Sequence, residues 1–111
     1  MEKLPSPVTI VTGYFDILCA SSARDLQNVR NRTPEHPLAV IVYSYDLELM
    51  AVPERVEMTA ALRAVDYVVI VLEAWISGIL MSLHTNEIVR FEEADSLRRN
   101  DLIQRVRRRY L

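Results

Sequence analysis

Four short apolar runs, separated by segments of helical spacing, constrain the fold of this chain more than any other feature. The runs are VTIVTGYF, LAVIVYS, YVVIVL and EIVRFEE, all rich in β-branched residues. Each has the length of a strand, and its apolar positions are too continuous for a strand with one face in water. Such runs are typical of parallel strands that are covered on both faces.

The segments between the runs predict helices. Helical spacing of apolar residues is found in Ser22 to Arg32, Pro53 to Ala64, Glu73 to Leu83 and Ser96 to Tyr110. Proline followed by an acid suits the start of the second helix, and Asp95 or Ser96 is placed to cap the last one. Strands that alternate with such helices form right-handed βαβ units. The sequence therefore predicts an α/β fold: a single doubly wound domain over residues 1–111, with a short parallel sheet of about four strands and helices on both faces.

Composition excludes several classes of protein. A chain of 111 residues matches one domain, and its 50% hydrophobic content predicts a folded chain. The net charge of -2 argues against a cation-coated protein that binds nucleic acid or an anionic membrane. Only Gly13 and Gly78 are glycines, which excludes a glycine-rich phosphate loop of the Walker or dinucleotide type.

The cysteine content and the apolar segments predict a cytoplasmic protein. Cys19 is the single cysteine and cannot form an internal disulfide, which fits a reducing compartment. The start, MEKLPSPVTIV, contains two prolines and lacks the continuous apolar region of a signal peptide. The window Val65 to Leu83 has the length of a membrane span but contains Asp66 and Glu73. We interpret this window as a buried strand followed by a buried helix, and we expect no membrane partner.

The end of the first strand is the predicted ligand site. In open α/β sheets ligands bind at the carboxyl ends of strands, and a helix N-terminus favours phosphate. The first run ends at Gly13, a residue type that allows a backbone to approach a ligand closely. Ser21 and Ser22 open the next helix and either cradle an anion or cap that helix.

Three segments in the correct order resemble the cytidylyltransferase-like nucleotidyltransferases. VTGYFDILCASSARDLQNVR is similar to the family's first strand, turn and helix, where the pattern is G-x-F-D-x-x-H-x-G-H. LAVIVYSYD is similar to the second strand with its terminal Asp46, and PERVEMTAALRAVDYVVI to the later Arg-containing helix and strand. The likeness covers about two-thirds of the chain. It is greatest to the adenylyltransferase domain of ADP-heptose synthase and to glycerol-3-phosphate cytidylyltransferase.

The resemblance implies a trimmed Rossmann-like nucleotidyltransferase fold with an altered site. The family's two motif histidines hold the triphosphate, and their positions fall here on Cys19 and Ser22. Neither replacement is cationic, and nucleotidyl transfer depends on stabilising charge in the transition state. The family's closing Ser/Thr-rich helix start falls on Arg98-Arg99-Asn100-Asp101, which lacks hydroxyls. The nucleotide-binding residues implied by the resemblance are Gly13, Tyr14, Phe15, Asp16, Cys19, Ser22 and Arg55.

The expected function is that of a degenerate member of the family. It would have little or no catalytic activity, no certain cofactor, and would bind nucleotide or phosphate as a homodimer. One alternative is an active enzyme that moves a nucleoside monophosphate from CTP or ATP, with Mg²⁺, onto a sugar phosphate or polyol phosphate. Arg55 and the C-terminal arginines would then replace the histidines.

A second alternative is a structural protein-interaction module. The segment AWISGILMSL is apolar nearly all round, which is typical of a helix that is central or at an interface. Trp75, Ile79 and Met81 are therefore the candidate subunit contacts, and the resembled family is commonly dimeric.

Other titratable residues have two interpretations each. Cys19 is either a nucleophile or a small buried hydrophobe. Asp16, Asp46 and Asp66 are either ligands or turn residues. The arginine-rich C-terminus either touches nucleic acid, which the acidic pI of about 5.7 makes unexpected, or a phosphate, or it has a structural role. In that role its cations favour the helix dipole, and Arg98 and Arg99 pair with Glu92, Glu93 and Asp95. His36 and His84 are too few for a zinc site, and no metal site is predicted.

Overall fold

Four parallel strands alternate with helices in the computed structural model, which describes residues 7–16, 18–45 and 48–110. The elements are β1 (Val8–Gly13), α1 (Ala20–Arg32), β2 (Leu38–Ser44), α2 (Val52–Ala60), β3 (Tyr67–Leu72), α3 (Ile76–Ser82), β4 (Thr85–Arg90) and α4 (Glu92–Tyr110), with a 3-10 turn at Glu73–Trp75. The strands form one sheet in the order β3-β2-β1-β4. The predicted α/β, doubly wound fold is confirmed.

The two central strands, β1 and β2, carry the core. On one face Leu26 and Val29 of α1 pack against a cluster that includes Val11 and Val40. On the other face Ile76 of α3 packs in a cluster with neighbouring core residues of β1 and β2. Because the strand order reverses at β1, the crevice at the carboxyl ends of β1 and β4 is the place where such sheets hold ligands.

Several predicted boundaries differ from the structure. β1 ends at Gly13 rather than Phe15, because Phe15 adopts a left-handed backbone with φ of 47° that a strand cannot continue. The fourth strand and the last helix each begin earlier than predicted, at Thr85 and Glu92. The prediction that Asp95 or Ser96 caps this helix is therefore wrong, since both residues lie inside it.

The prediction of a buried strand followed by a buried helix over Val65 to Leu83 is also wrong. Among the described residues β3 has a neighbouring strand on one side only, and Val71 is its single buried residue. The seven-residue α3 is too short to cover the sheet, and only Ile76 in it is buried. The prediction that strands are covered on both faces is correct for β1 and β2. In β4, exposed and partly buried residues alternate. Within the described part of the chain, no helix combines the length and apolarity needed to cross a membrane.

Candidate functional site

The turn after β1 is filled by an internal carboxylate. Asp95, in the first turns of α4, accepts hydrogen bonds through Oδ2 from the backbone N–H of Tyr14 at 3.0 Å and of Phe15 at 3.3 Å. Backbone donors at such a turn are the groups that bind an anionic ligand in open α/β sheets. In this protein the anion that they bind is Asp95.

Gly13 allows this contact. A Cβ built at Gly13 would overlap Asp95 Oδ2 and would lie 2.8 Å from Phe15 Cε2. The sequence predicts a close approach at Gly13, and the structure shows the approaching group to be a side chain of the same chain. Burial raises the pKa of Asp95 to about 6, although the N–H groups of Phe15 and Tyr14 and the charge of Arg98 act in the opposite direction.

A second acid of α4 joins the ends of three strands. Glu92 accepts hydrogen bonds from Thr12 Oγ1 at 2.6 Å, from Arg90 Nε at 2.7 Å and from the hydroxyl of Tyr43 at 3.3 Å. Burial on its own raises the pKa of Glu92, but the hydrogen bonds from Thr12 and Arg90 outweigh it and the pKa is lowered. Sequence reasoning missed Glu92 and Asp95 as site residues, although their position directly after a strand was the available signal.

Asp16 holds the segment that follows β2. Its carboxylate accepts the backbone N–H groups of Leu49 and Met50, each at 2.6 Å, and the hydroxyl of Tyr45. Asp66 has a similar role at the opposite edge of the sheet, where it accepts the N–H of Leu38. Both residues therefore act as turn residues here, and Asp46 lies outside the described residues.

Arg55 ties the ends of β1 and β2 together from inside the protein. Its side chain is 0% exposed. The guanidinium donates to the backbone carbonyls of Tyr14 at 2.8 Å, Tyr43 at 2.7 Å and Met50 at 2.9 Å, and it forms a salt bridge of 2.7 Å with Glu48. These four acceptors fix the cation in the interior, where it supports the turn after β1.

An open basic cleft lies next to this turn, between the start of α1 and α4. It has a volume of about 350 Å³. Three arginines and one aspartate line its wall, where Arg98 pairs with Asp25 and Arg105 with Asp101. The N-terminus of the 13-residue α1 adds the positive end of a helix dipole. The polar and charged lining consists of Cys19, Ser21, Arg24, Arg98, Asp101 and Arg105.

Cys19 stands at the N-cap of α1, in the wall of this cleft. Its Sγ lies 3.1 Å from Ser21 Oγ and 3.3 Å from Ser22 Oγ. Burial raises the pKa of the Cys19 thiol, but the hydroxyls of Ser21 and Ser22 and the charge of Arg98 outweigh it, and the pKa falls to about 7. This thiol therefore ionises at a lower pH than an ordinary cysteine.

Both histidines lie at the other edge of the sheet. The carbonyl of His36 accepts from Arg30 in the turn before β2, and the carbonyl of His84 accepts from Val8 at the start of β1. Parallel strands place their starts and ends at opposite edges, so neither imidazole is near Cys19. Among residues 7–16, 18–45 and 48–110, no three His, Cys, Asp or Glu side chains are grouped in a way that would hold a metal ion.

The residues implied by the resemblance separate into two places. Gly13, Tyr14, Phe15, Asp16 and Arg55 form the internal support of the turn after β1. The other two residues are Cys19, which lines the cleft, and Ser22, which is buried behind the wall with its Oγ 3.4 Å from Arg98 Nη1.

The predicted subunit contacts lie apart from both places, on and next to α3. Trp75 is 64% exposed and Met81 is 88% exposed, whereas Ile79 is half-buried against the core.

No protein-family model and no curated protein sequence matches this chain. The likeness to the cytidylyltransferase-like nucleotidyltransferases is therefore a hypothesis based on the three quoted segments. The chemistry of the cleft has to be argued from its own residues.

Proposed function

We propose that this protein is a degenerate cytidylyltransferase-like protein that binds a nucleotide or another phosphorylated small molecule in the cleft between α1 and α4. One observation carries the proposal: Arg24, Arg98 and Arg105 line a single open cleft at the start of α1. Arginine clusters and helix N-termini are the groups that proteins use to bind phosphate. The lone Cys19 is consistent with a cytoplasmic location for such a binding protein.

Little or no nucleotidyl transfer is expected at this cleft. Transfer needs preorganised donors around the reacting phosphate, because charge builds up there in the transition state. The backbone donors of the turn after β1 already bind Asp95, and Arg55 is held by four internal acceptors. The cleft is therefore better suited to holding a phosphorylated ligand than to reacting with it.

Calorimetric titration with CTP and with ATP, each in the presence of Mg²⁺, tests the proposal. We expect saturable binding that weakens by about tenfold in Arg24→Gln, because a charge-assisted hydrogen bond contributes roughly 1.5 to 3 kcal/mol. Arg63→Gln is the matched control, since Arg63 is also exposed but lies outside the cleft, and its affinity should not change.

The absence of heat with both nucleotides, or equal losses in the two arginine variants, would contradict nucleotide binding at this cleft. Release of pyrophosphate with a sugar phosphate or polyol phosphate as acceptor would instead support the active enzyme. The two assays separate binding from transfer.

We also propose that the exposed face around α3 forms the contact of a homodimer. The observation that favours it is that Trp75 and Met81 leave large apolar side chains in water.

Light scattering at micromolar concentration should show a dimer, and Trp75→Ala should weaken it by at least about tenfold, as truncation of a central aromatic residue does. Tyr110→Ala removes an aromatic side chain of similar exposure, 74%, from α4 and should leave the dimer intact. A monomer at every concentration tested would contradict this interface.

A further inference from the structure

The carboxyl-terminal half of α4 is largely exposed. α4 has 19 residues, which at 1.5 Å per residue gives a helix of about 28 Å. Its single buried residue is Asp95, and between Leu102 and Tyr110 every residue except Ile103 is exposed. The longest dimension of the molecule is 48 Å, against 29 and 21 Å for the other two. The helix therefore extends past the sheet.

This exposed half carries an apolar stripe. Leu102, Ile103, Val106 and Tyr110 fall within an arc of about 100° when successive residues are rotated by about 100°. The same arc contains Asp95, which faces the body of the protein. The stripe thus continues the body-facing side of α4 beyond the point where the sheet ends.

Arginines flank the stripe. Between Asp101 and Tyr110 the helix carries four arginines, and the one acid, Asp101, lies 3.0 Å from Arg105. Arg107, Arg108 and Arg109 are all exposed. Cations in the last turn favour the helix dipole, but the dipole does not account for an apolar stripe between them.

We propose that the residues Asp101 to Tyr110, here named the basic end of α4, form a docking surface for an acidic amphipathic segment of a partner protein. Apolar side chains of the partner would cover Leu102, Val106 and Tyr110, and its carboxylates would pair with the flanking arginines. This surface shares Asp101, Leu102 and Arg105 with the wall of the proposed nucleotide cleft, whereas Val106, Arg109 and Tyr110 lie outside that cleft.

Charge complementarity selects this occupant. Pairing with the same surface of a second copy would bring four arginines against four, and like charges across an interface oppose association. A flat bilayer fits poorly, because the stripe faces the side of α4 on which the body lies. An acidic segment satisfies both the apolar stripe and the charge.

The test is fluorescence anisotropy with a labelled synthetic helix of about fourteen residues. Its leucines follow helical spacing and its other positions are glutamate; the comparison peptide has lysine in place of each glutamate. We expect saturable binding of the glutamate peptide, weakened by added salt, and binding of the lysine peptide that is at least about tenfold weaker.

Four variants locate the surface. Val106→Ser and Arg109→Gln should each weaken binding of the glutamate peptide by about three- to tenfold. Met58→Ser removes an apolar side chain of similar exposure from α2, 41% against 46% for Val106, and should have no effect. Arg63→Gln is the corresponding charge control.

Equal binding of the two peptides, or equal losses in Val106→Ser and Met58→Ser, would overturn the proposal. So would the absence of peptide binding, whether or not the protein associates with phosphatidylglycerol vesicles or with itself. Circular dichroism of each variant shows whether α4 is retained. Both α4 variants keep Arg24 and Arg98, so failure of peptide docking is distinguishable from failure of nucleotide binding.

Discussion

Replacing Arg55 with methionine should lower the free energy of unfolding by about 3 to 5 kcal/mol, because three backbone carbonyls inside the protein lose their donor at roughly 1 to 3 kcal/mol each. The substitution leaves the carbonyls of Tyr14, Tyr43 and Met50 without their shared donor, and it leaves Glu48 without its cation. Urea unfolding followed by circular dichroism measures the change.

Arg63→Met is the control for Arg55→Met, because Arg63 is exposed in the turn after α2 and its loss should change stability by less than about 0.5 kcal/mol. Arg55→Lys keeps the charge but not the forked geometry, so it should also be strongly destabilised. Arg55→Lys provides a second measurement of stability if Arg55→Met does not fold. If both Arg55 variants lose less than about 1 kcal/mol in the free energy of unfolding, the carbonyls of Tyr14, Tyr43 and Met50 do not depend on the guanidinium.

Gly13→Ala should lower the free energy of unfolding by about 1 to 3 kcal/mol, the usual range for overpacking a buried site. The new Cβ would displace either the carboxylate of Asp95, which holds two backbone N–H groups, or the buried ring of Phe15. Gly78→Ala is the matched control: nothing lies within 4 Å of its added Cβ, and alanine in a helix should stabilise by about 0.4 to 1 kcal/mol.

A double-mutant cycle assigns the cost of Gly13→Ala to Asp95. Asp95→Ala is itself destabilising, since Tyr14 and Phe15 lose their acceptor. In that background Gly13→Ala should cost at least about 1 kcal/mol less than in the wild type, because the overlap with Oδ2 is gone. Additive costs, measured by the same urea unfolding, would mean that the two residues are not coupled.

The alternation of strands and helices could be predicted from the sequence, because the two periodicities depend on local spacing alone. The extent to which β3 is buried could not be predicted in this way. YVVIVL is as apolar as LAVIVYS, yet it forms an edge strand, and the position of a strand in the sheet depends on topology rather than on its own residues. The same limit explains why the helix after β3 was expected to be buried.

The site was predicted in part. Gly13 was identified as a point of close approach, but the approaching Asp95 is far along the chain and looked like a helix cap. The resemblance implies that Arg55 binds nucleotide, because it matches the family's Arg-containing helix; its full burial, rare for an arginine, depends on acceptors from distant segments. Whether Cys19 and Arg98 share one cleft is a tertiary property that no local pattern could show.

The pairing of β4 with β1 has a consequence for synthesis of the chain. Val8 of β1 pairs with Thr85 of β4, so one edge of β1 has no partner until β4 has been synthesised. During that interval an apolar strand edge is open to pairing with other chains, and non-local parallel pairing is intrinsically slow. A nascent chain of this protein therefore exposes this apolar strand edge until β4 has been synthesised.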